Sequence, residues 1–119
     1  MKITQFSIDD TKKSLTIHFM NGEAVPLSFE YLRVLSPSIT ATKAQSSIVA
    51  HKKRVVLTAI ENVGKHGFRL LFNDEHYAIY SEEYLILLSQ EFQPRWHNYI
   101  AELKASGQSR EEMINITQL

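Results

Sequence analysis

The chain has 119 residues, the length of one domain around a single hydrophobic core. Thirteen basic residues balance thirteen acidic ones, so no long-range field draws nucleic acid or an anionic membrane to it. It contains no cysteine, which excludes disulfides, thiolate nucleophiles, cysteine-held iron–sulfur clusters and cysteine-containing zinc sites within this chain.

Hydrophobic residues make up 44% of the sequence, enough for a packed core and against disorder. The start, "MKITQFSIDD", carries charge and polarity where a signal peptide needs an apolar run. The longest strictly aliphatic run is "LILL", Leu85 to Leu88, far too short to span a bilayer. A soluble cytoplasmic protein that does not enter the membrane is the expectation.

"SLTIHFM" alternates Leu15, Ile17 and Phe19 with Thr16 and His18, the period of a half-buried strand. Asn21-Gly22 follows as a two-residue type I′ turn, in which both residues take positive φ. The return strand is "EAVPLS", where Pro26 has no N–H to give and implies an edge or a bulge. "FEYLRVL", Phe29 to Leu35, reads as a short helix that stops ahead of Pro37.

Residues 38–50, rich in Ser, Thr and Ala, lack periodicity and read as a long loop. The β-branched stretch from Arg54 to Ile60 reads as a strand closing on Gly64. "GFRLLF" and "HYAIY" around the "NDE" turn complete an antiparallel meander. Ser81, followed by Glu82 and Glu83, opens a helix as its N-cap with acids at the positive end of the dipole. A second helix carries Pro94 in its first turn and stops at Gly107. Its residues Trp96, Tyr99, Ile100 and Leu103 form an apolar stripe for docking on the sheet. "SREE", Ser109 to Glu112, has capping-box spacing and opens a short terminal helix. The sum is an α+β fold, a small antiparallel sheet of hairpin plus meander against C-terminal helices. It forms one domain over residues 1–119, with 91–119 as a helical C-terminal extension.

Three sites invite a chemical reading. His76 lies between Asp74-Glu75 and aromatic residues, yet no second histidine stands at a spacing that would join it around a metal. Ser36, Ser38, His76 and Asp74 hold the residue types of a hydrolase triad, but no Gly-x-Ser-x-Gly elbow presents a nucleophile. The basic run His51 to Arg54, with Lys43 nearby, is the weakest candidate for nucleic acid. Such a cluster at a strand edge is ordinarily a solvated guard against aggregation. The Trp96 stripe is ordinarily core rather than a ligand platform.

The segments "LTIHFMNGEAVPLSFEYLRVLSPS" and "IENVGKHGFRLLFNDEHYAIYSEEYL", with the loop between them, resemble the gamma-butyrobetaine hydroxylase-like N-terminal domain family over residues 3–90. The family pattern has a strand–turn–strand, an "LR" step before a Ser/Cys-Pro motif, then an Asp-Gly-His…Gly-Ile-Tyr signature ahead of a helix. In zinc-bearing members a Cys-x-Cys-x-x-Cys motif and the signature histidine hold the metal. Here Ser36, Ser38 and Ala41 stand at the cysteine positions and His76 remains. The resemblance therefore implies a metal-free form without cofactor, in which His76 ties its hairpin to the Ser36–Ser38 loop. Glu75 and Ala78 replace the usual glycines and change that turn. The motif residues Arg33, Ser36, Ser38, Asp74, His76 and Tyr80 are the candidate binding set.

The family's settings imply the partners. The domain precedes the catalytic domain of 2-oxoglutarate oxygenases, is attached to Mrp-type iron–sulfur carrier ATPases, or stands alone. None of the five histidines here begins a His-x-Asp/Glu iron motif, so the standalone form is the expectation. The resemblance implies a non-enzymatic accessory module for an iron–sulfur carrier, or alternatively a metal-binding or oxygenase-related domain acting in trans with a separate catalytic chain. The balanced charge argues against a nucleic-acid partner.

Overall fold

The computed structural model describes residues 2–37 and 51–110. The expected loop over 38–50 and the helix expected from Ser109 to Glu112 lie wholly or partly outside these residues. The architecture is α+β, two three-stranded antiparallel sheets with three helices.

The first sheet has the order β1 (Ile3–Asp9), β2 (Ser14–Phe19), β3 (Ala24–Ser28). Leu15, Ile17 and Phe19 of β2 are buried, and Leu15 and Ile17 lie opposite Leu27 and Val25. Pro26 sits on β3, an edge strand, where its missing N–H costs no ladder bond. The β2–β3 turn differs from the expected type. Gly22 has φ +93° and Asn21 is not among the positive-φ residues. Phe19 N–H donates to Glu23 O and Gly22 N–H to Phe19 O. This is a three-residue loop closed by a glycine bulge. Strand β1 was not expected as a strand. A register shift between Ile3 and Gln5 puts Ile3, Phe6 and Ile8 out of strict alternation, and a bulge hides the period-2 signal.

Helix α1 (Phe29–Val34) starts on Ser28, whose hydroxyl accepts the Tyr31 N–H at 3.0 Å. Phe29, Glu30, Tyr31 and Leu32 are buried. The second sheet has the order β4 (Leu57–Asn62), β5 (Phe68–Phe72), β6 (Tyr77–Tyr80). Strand β4 begins at Leu57 rather than at Arg54. The backbone before it is engaged elsewhere: His51 N–H bonds Ser109 O and Lys53 N–H bonds Arg110 O. Between β4 and β5, Gly67 takes φ +120°, and a Cβ there would lie 2.2 Å from Tyr80 O. Only glycine fits so close to the neighbouring strand.

Helix α2 (Glu82–Gln90) is capped by Ser81, which accepts the Tyr84 N–H at 3.0 Å. Helix α3 (Phe92–Ser106) ends on Gly107 at φ +77°. The main core joins both sheets, α1 and α2 through Leu15, Ile17, Leu32, Leu57, Leu70 and Leu88. As expected, the C-terminal helices pack with the sheets around one core, and Phe92 and Trp96 of α3 lie against it. Tyr31 meets Phe92 and Trp96 edge-on at 4.8 and 6.3 Å. Trp96 is half-buried while Tyr99 and Leu103 are buried, so the tryptophan flanks the core and does not anchor it. Among the described residues no helix is long and apolar enough to cross a membrane.

Candidate functional site

The site begins at the C-terminal end of α1, whose last carbonyls have no partner within the helix. Two tyrosines supply them. Tyr80 of β6 donates to Leu32 O at 2.6 Å, and Tyr84 of α2 donates to Leu35 O at 2.5 Å. A third, Tyr31, donates back to Leu88 O at 2.8 Å. Burial raises the pKa of Tyr80, and the Ser36 hydroxyl offsets this only in part. Burial likewise raises Tyr84 and takes Tyr31 up to about 12. All three stay protonated donors at neutral pH. Ser36 and Pro37 thus leave a helix end that is held from two directions.

Opposite stands the β5–β6 hairpin. Phe72 N–H donates to His76 O at 2.9 Å across the loop Asn73-Asp74-Glu75, and Glu75 takes φ +67°. This repeats the geometry of the first hairpin, with Glu75 where Gly22 stood. Asn73 locks the loop to the chain before β4, donating its N–H to Val56 O and accepting the Val56 N–H on its side chain. Asp74 Oδ1 accepts the His76 N–H at 3.3 Å, and Oδ2 accepts Arg33 Nε at 2.8 Å and Lys52 Nζ at 2.7 Å. Burial opposes ionisation of Asp74, but the hydrogen bonds from Lys52 and Arg33 prevail and hold its carboxyl below the usual range.

His76 closes the network. Its Nε2 lies 2.8 Å from Ser36 Oγ, and its ring sits 6.1 Å from that of Phe72. Burial lowers its pKa, the Arg33 and Lys52 cations lower it further, and Asp74 opposes them. A neutral imidazole can keep this hydrogen bond in either tautomer.

Arg33, Ser36, Asp74, His76 and Tyr80 therefore come together from α1, its exit segment and the β5–β6 hairpin. Ser38 and Ala41 lie outside the described residues. Lys52 and Tyr84 belong to the same cluster, and the sequence reading left both out. Lys52 stood inside a basic run that looks the same whether solvated or paired. Tyr84 had only its place in the "YL" that opens α2.

Two chemistries can be measured against this geometry. Zinc needs three or four nitrogen, sulfur or carboxylate ligands around one point. Among the described residues no three His, Asp or Glu side chains converge in that way, and one imidazole bonded to a serine hydroxyl does not fit the metal. A hydrolase triad needs an acid on the imidazole nitrogen that faces away from the serine. Asp74 meets the His76 backbone and two cations, and no described hydrogen bond joins it to the ring.

Residues 6–86 match the family model described as gamma-butyrobetaine hydroxylase-like, N-terminal. The chain belongs to the gamma-butyrobetaine hydroxylase-like N-terminal domain family. Solved structures that match the chain carry the same fold, among them the following three. One NMR solution structure is 28% identical with a TM-score of 0.83, covering 100% of this chain and 98% of its own. A second is 36% identical with a TM-score of 0.79, covering 98% and 89%. A crystal structure from Acidithiobacillus ferrooxidans, of a protein of unknown function in the DUF971 family, is 27% identical with a TM-score of 0.60, covering 74% and 92%. No curated protein matches the chain. The gamma-butyrobetaine hydroxylase-like match spans both halves of the cluster, from within β1 to the middle of α2.

Proposed function

We propose that the chain is a non-enzymatic binding module that serves a partner protein in iron–sulfur or redox-enzyme maturation. The observation that carries this reading is the closed network of Arg33, Ser36, Lys52, Asp74 and His76, in which each side chain bonds another member. A serine–histidine pair that is to react needs an acid orienting the imidazole, whereas here Asp74 bonds the His76 backbone and two cations and the network braces one hairpin against a helix end. Tyr77 and Ile79, 64% and 41% exposed on β6 beside that hairpin, add apolar surface of the kind a protein partner covers. The partner class rests on the resemblance to domains attached to Mrp-type carriers. The family description favours a second partner, the separate catalytic chain of a 2-oxoglutarate oxygenase.

The test titrates the purified chain with an Mrp-type carrier and, separately, with an oxygenase catalytic chain, each followed by calorimetry. A saturable complex with the carrier is expected. Tight binding to the oxygenase chain alone moves the module to the second partner. Binding to neither overturns both. In parallel, the chain is incubated with Fe(II), 2-oxoglutarate and ascorbate, and with a fluorophosphonate. Succinate above a no-enzyme control, or stoichiometric labelling of Ser36, would sink the non-enzymatic reading.

A further inference from the structure

A concave pocket of about 230 Å³ opens beside the hairpin, lined by His51, Lys52, Arg54, Val55, Asn73 and Asp74. Its volume falls below the ~300–1,000 Å³ of a drug-sized site and suits one small polar group. Its charges do not balance internally. Asp74 is the one acid on the wall, and its Oδ2 already receives Arg33 Nε at 2.8 Å as well as Lys52 Nζ at 2.7 Å. Arg33 can hold Asp74 alone, which leaves Lys52 able to turn to an incoming anion without stranding the carboxylate. Arg54 is exposed, and among the described residues no acid pairs with it. With Asp74 and Arg33 cancelling, the pocket keeps two positive charges.

Donors accompany the charge. The side-chain oxygen of Asn73 is taken by the Val56 N–H at 3.0 Å, so its amide presents the Nδ2–H₂ end as donor. Val55 is buried and fixes the backbone between Lys52, Arg54 and the chain that enters β4. His51 takes φ +62°, a left-handed conformation that is unfavourable for a non-glycine residue. Its N–H bond to Ser109 O helps to hold it there. Such outliers gather at ligand sites.

We propose that this pocket is an anion site that takes one phosphoryl group through Lys52 Nζ, the Arg54 guanidinium and the Asn73 amide. The two uncancelled charges match a dianion, and tetrahedral oxygens can meet donors from three directions. A polymer is a poor fit. Zero net charge provides no extended field for a nucleic-acid backbone, and the pocket holds a single group. The proposal does not depend on which protein the module serves.

The full ¹⁵N-labelled chain is titrated with inorganic phosphate, with chloride keeping the ionic strength constant, while amide shifts are followed. Saturable shifts centred on Lys52 to Val55 and on Asn73 are expected, with an affinity in the millimolar range or tighter. Arg54→Ala, at an exposed position that should leave the fold intact, is expected to weaken binding at least fivefold. Acetate in place of phosphate is expected to bind at least tenfold more weakly. Shifts that fail to saturate, that spread over the lysines of the surface, or that Arg54→Ala leaves unchanged would overturn the site. Equal affinity for acetate would overturn the phosphoryl assignment.

Discussion

Glu75 sits at φ +67° in a loop of the same form that places Gly22 at φ +93° in the first hairpin. The two turns solve one geometric problem with different residues. A left-handed conformation costs an L-residue roughly 1–2 kcal/mol, and glycine avoids it at some expense in unfolded-state entropy. Glu75→Gly is therefore expected to stabilise the protein by about 0.5–1 kcal/mol, read as a higher urea midpoint with an unchanged m-value. A lower midpoint would mean that the Glu75 side chain contributes more than the strain removes. At this scale the sequence was legible where a motif named the residue. The His76–Ser36 contact at 2.8 Å joins two positions that the family resemblance had linked. Lys52 escaped, because charge pairing across 22 residues leaves no periodic trace.

Among elements, the helices and the meander were readable because capping residues and periodicity mark them locally. Ser81, Pro94 and Gly107 stand at or inside the ends of their helices. Strand β1 was hidden by its register shift, and the start of β4 by backbone bonds from 51–53 to Ser109 and Arg110. That C-terminal contact explains the one buried charge among the described residues. Glu30 of α1 is 5% exposed, and Arg110 bonds its carboxylate through Nε and Nη2 at 2.9 Å while lying 5.3 Å over the Trp96 ring. Removing one partner strands a buried carboxylate, whereas replacing both by neutral groups does not. Arg110→Ala is expected to lose more than about 2 kcal/mol in urea denaturation, discounted from the ~3–5 of a fully buried pair because Arg110 is partly exposed. The double variant Glu30→Gln with Arg110→Met is expected to recover at least half. If Arg110→Ala loses under about 0.5 kcal/mol, the pair behaves as an ordinary surface ion pair.

At the scale of the whole molecule, the Asp74–His76 network joins α1, the segment before β4 and the β5–β6 hairpin, so its ionisation bears on contacts between three separate parts of the chain. Both titrating members are shifted in the same direction. His76 lies below its ordinary 6.5, first through burial and then through Arg33 and Lys52, with Asp74 opposing. The unfolded chain thus takes up this proton first as pH falls, and its uptake favours unfolding. Stability linked to His76 is fully present above about 6.5 and declines as pH falls from there to the folded value. Asp74 lies below its ordinary 3.8, since Lys52 and Arg33 overcome the cost of burial. Its contribution is present above that value and is lost on further acidification through the folded pKa. The protein is expected to lose stability in two acid steps, the upper one beginning near pH 6.5. His76→Gln, which cannot titrate but can still hydrogen-bond Ser36, is expected to abolish the upper step and leave the lower. The measurement is the urea midpoint of both proteins at closely spaced pH values from 7.5 to 3. What decides is the slope below pH 6.5 and not the starting stability, which the substitution itself can change. A wild-type midpoint that rises on acidification through pH 6.5, or a His76→Gln slope equal to wild type there, would show that His76 is not the group that senses the proton.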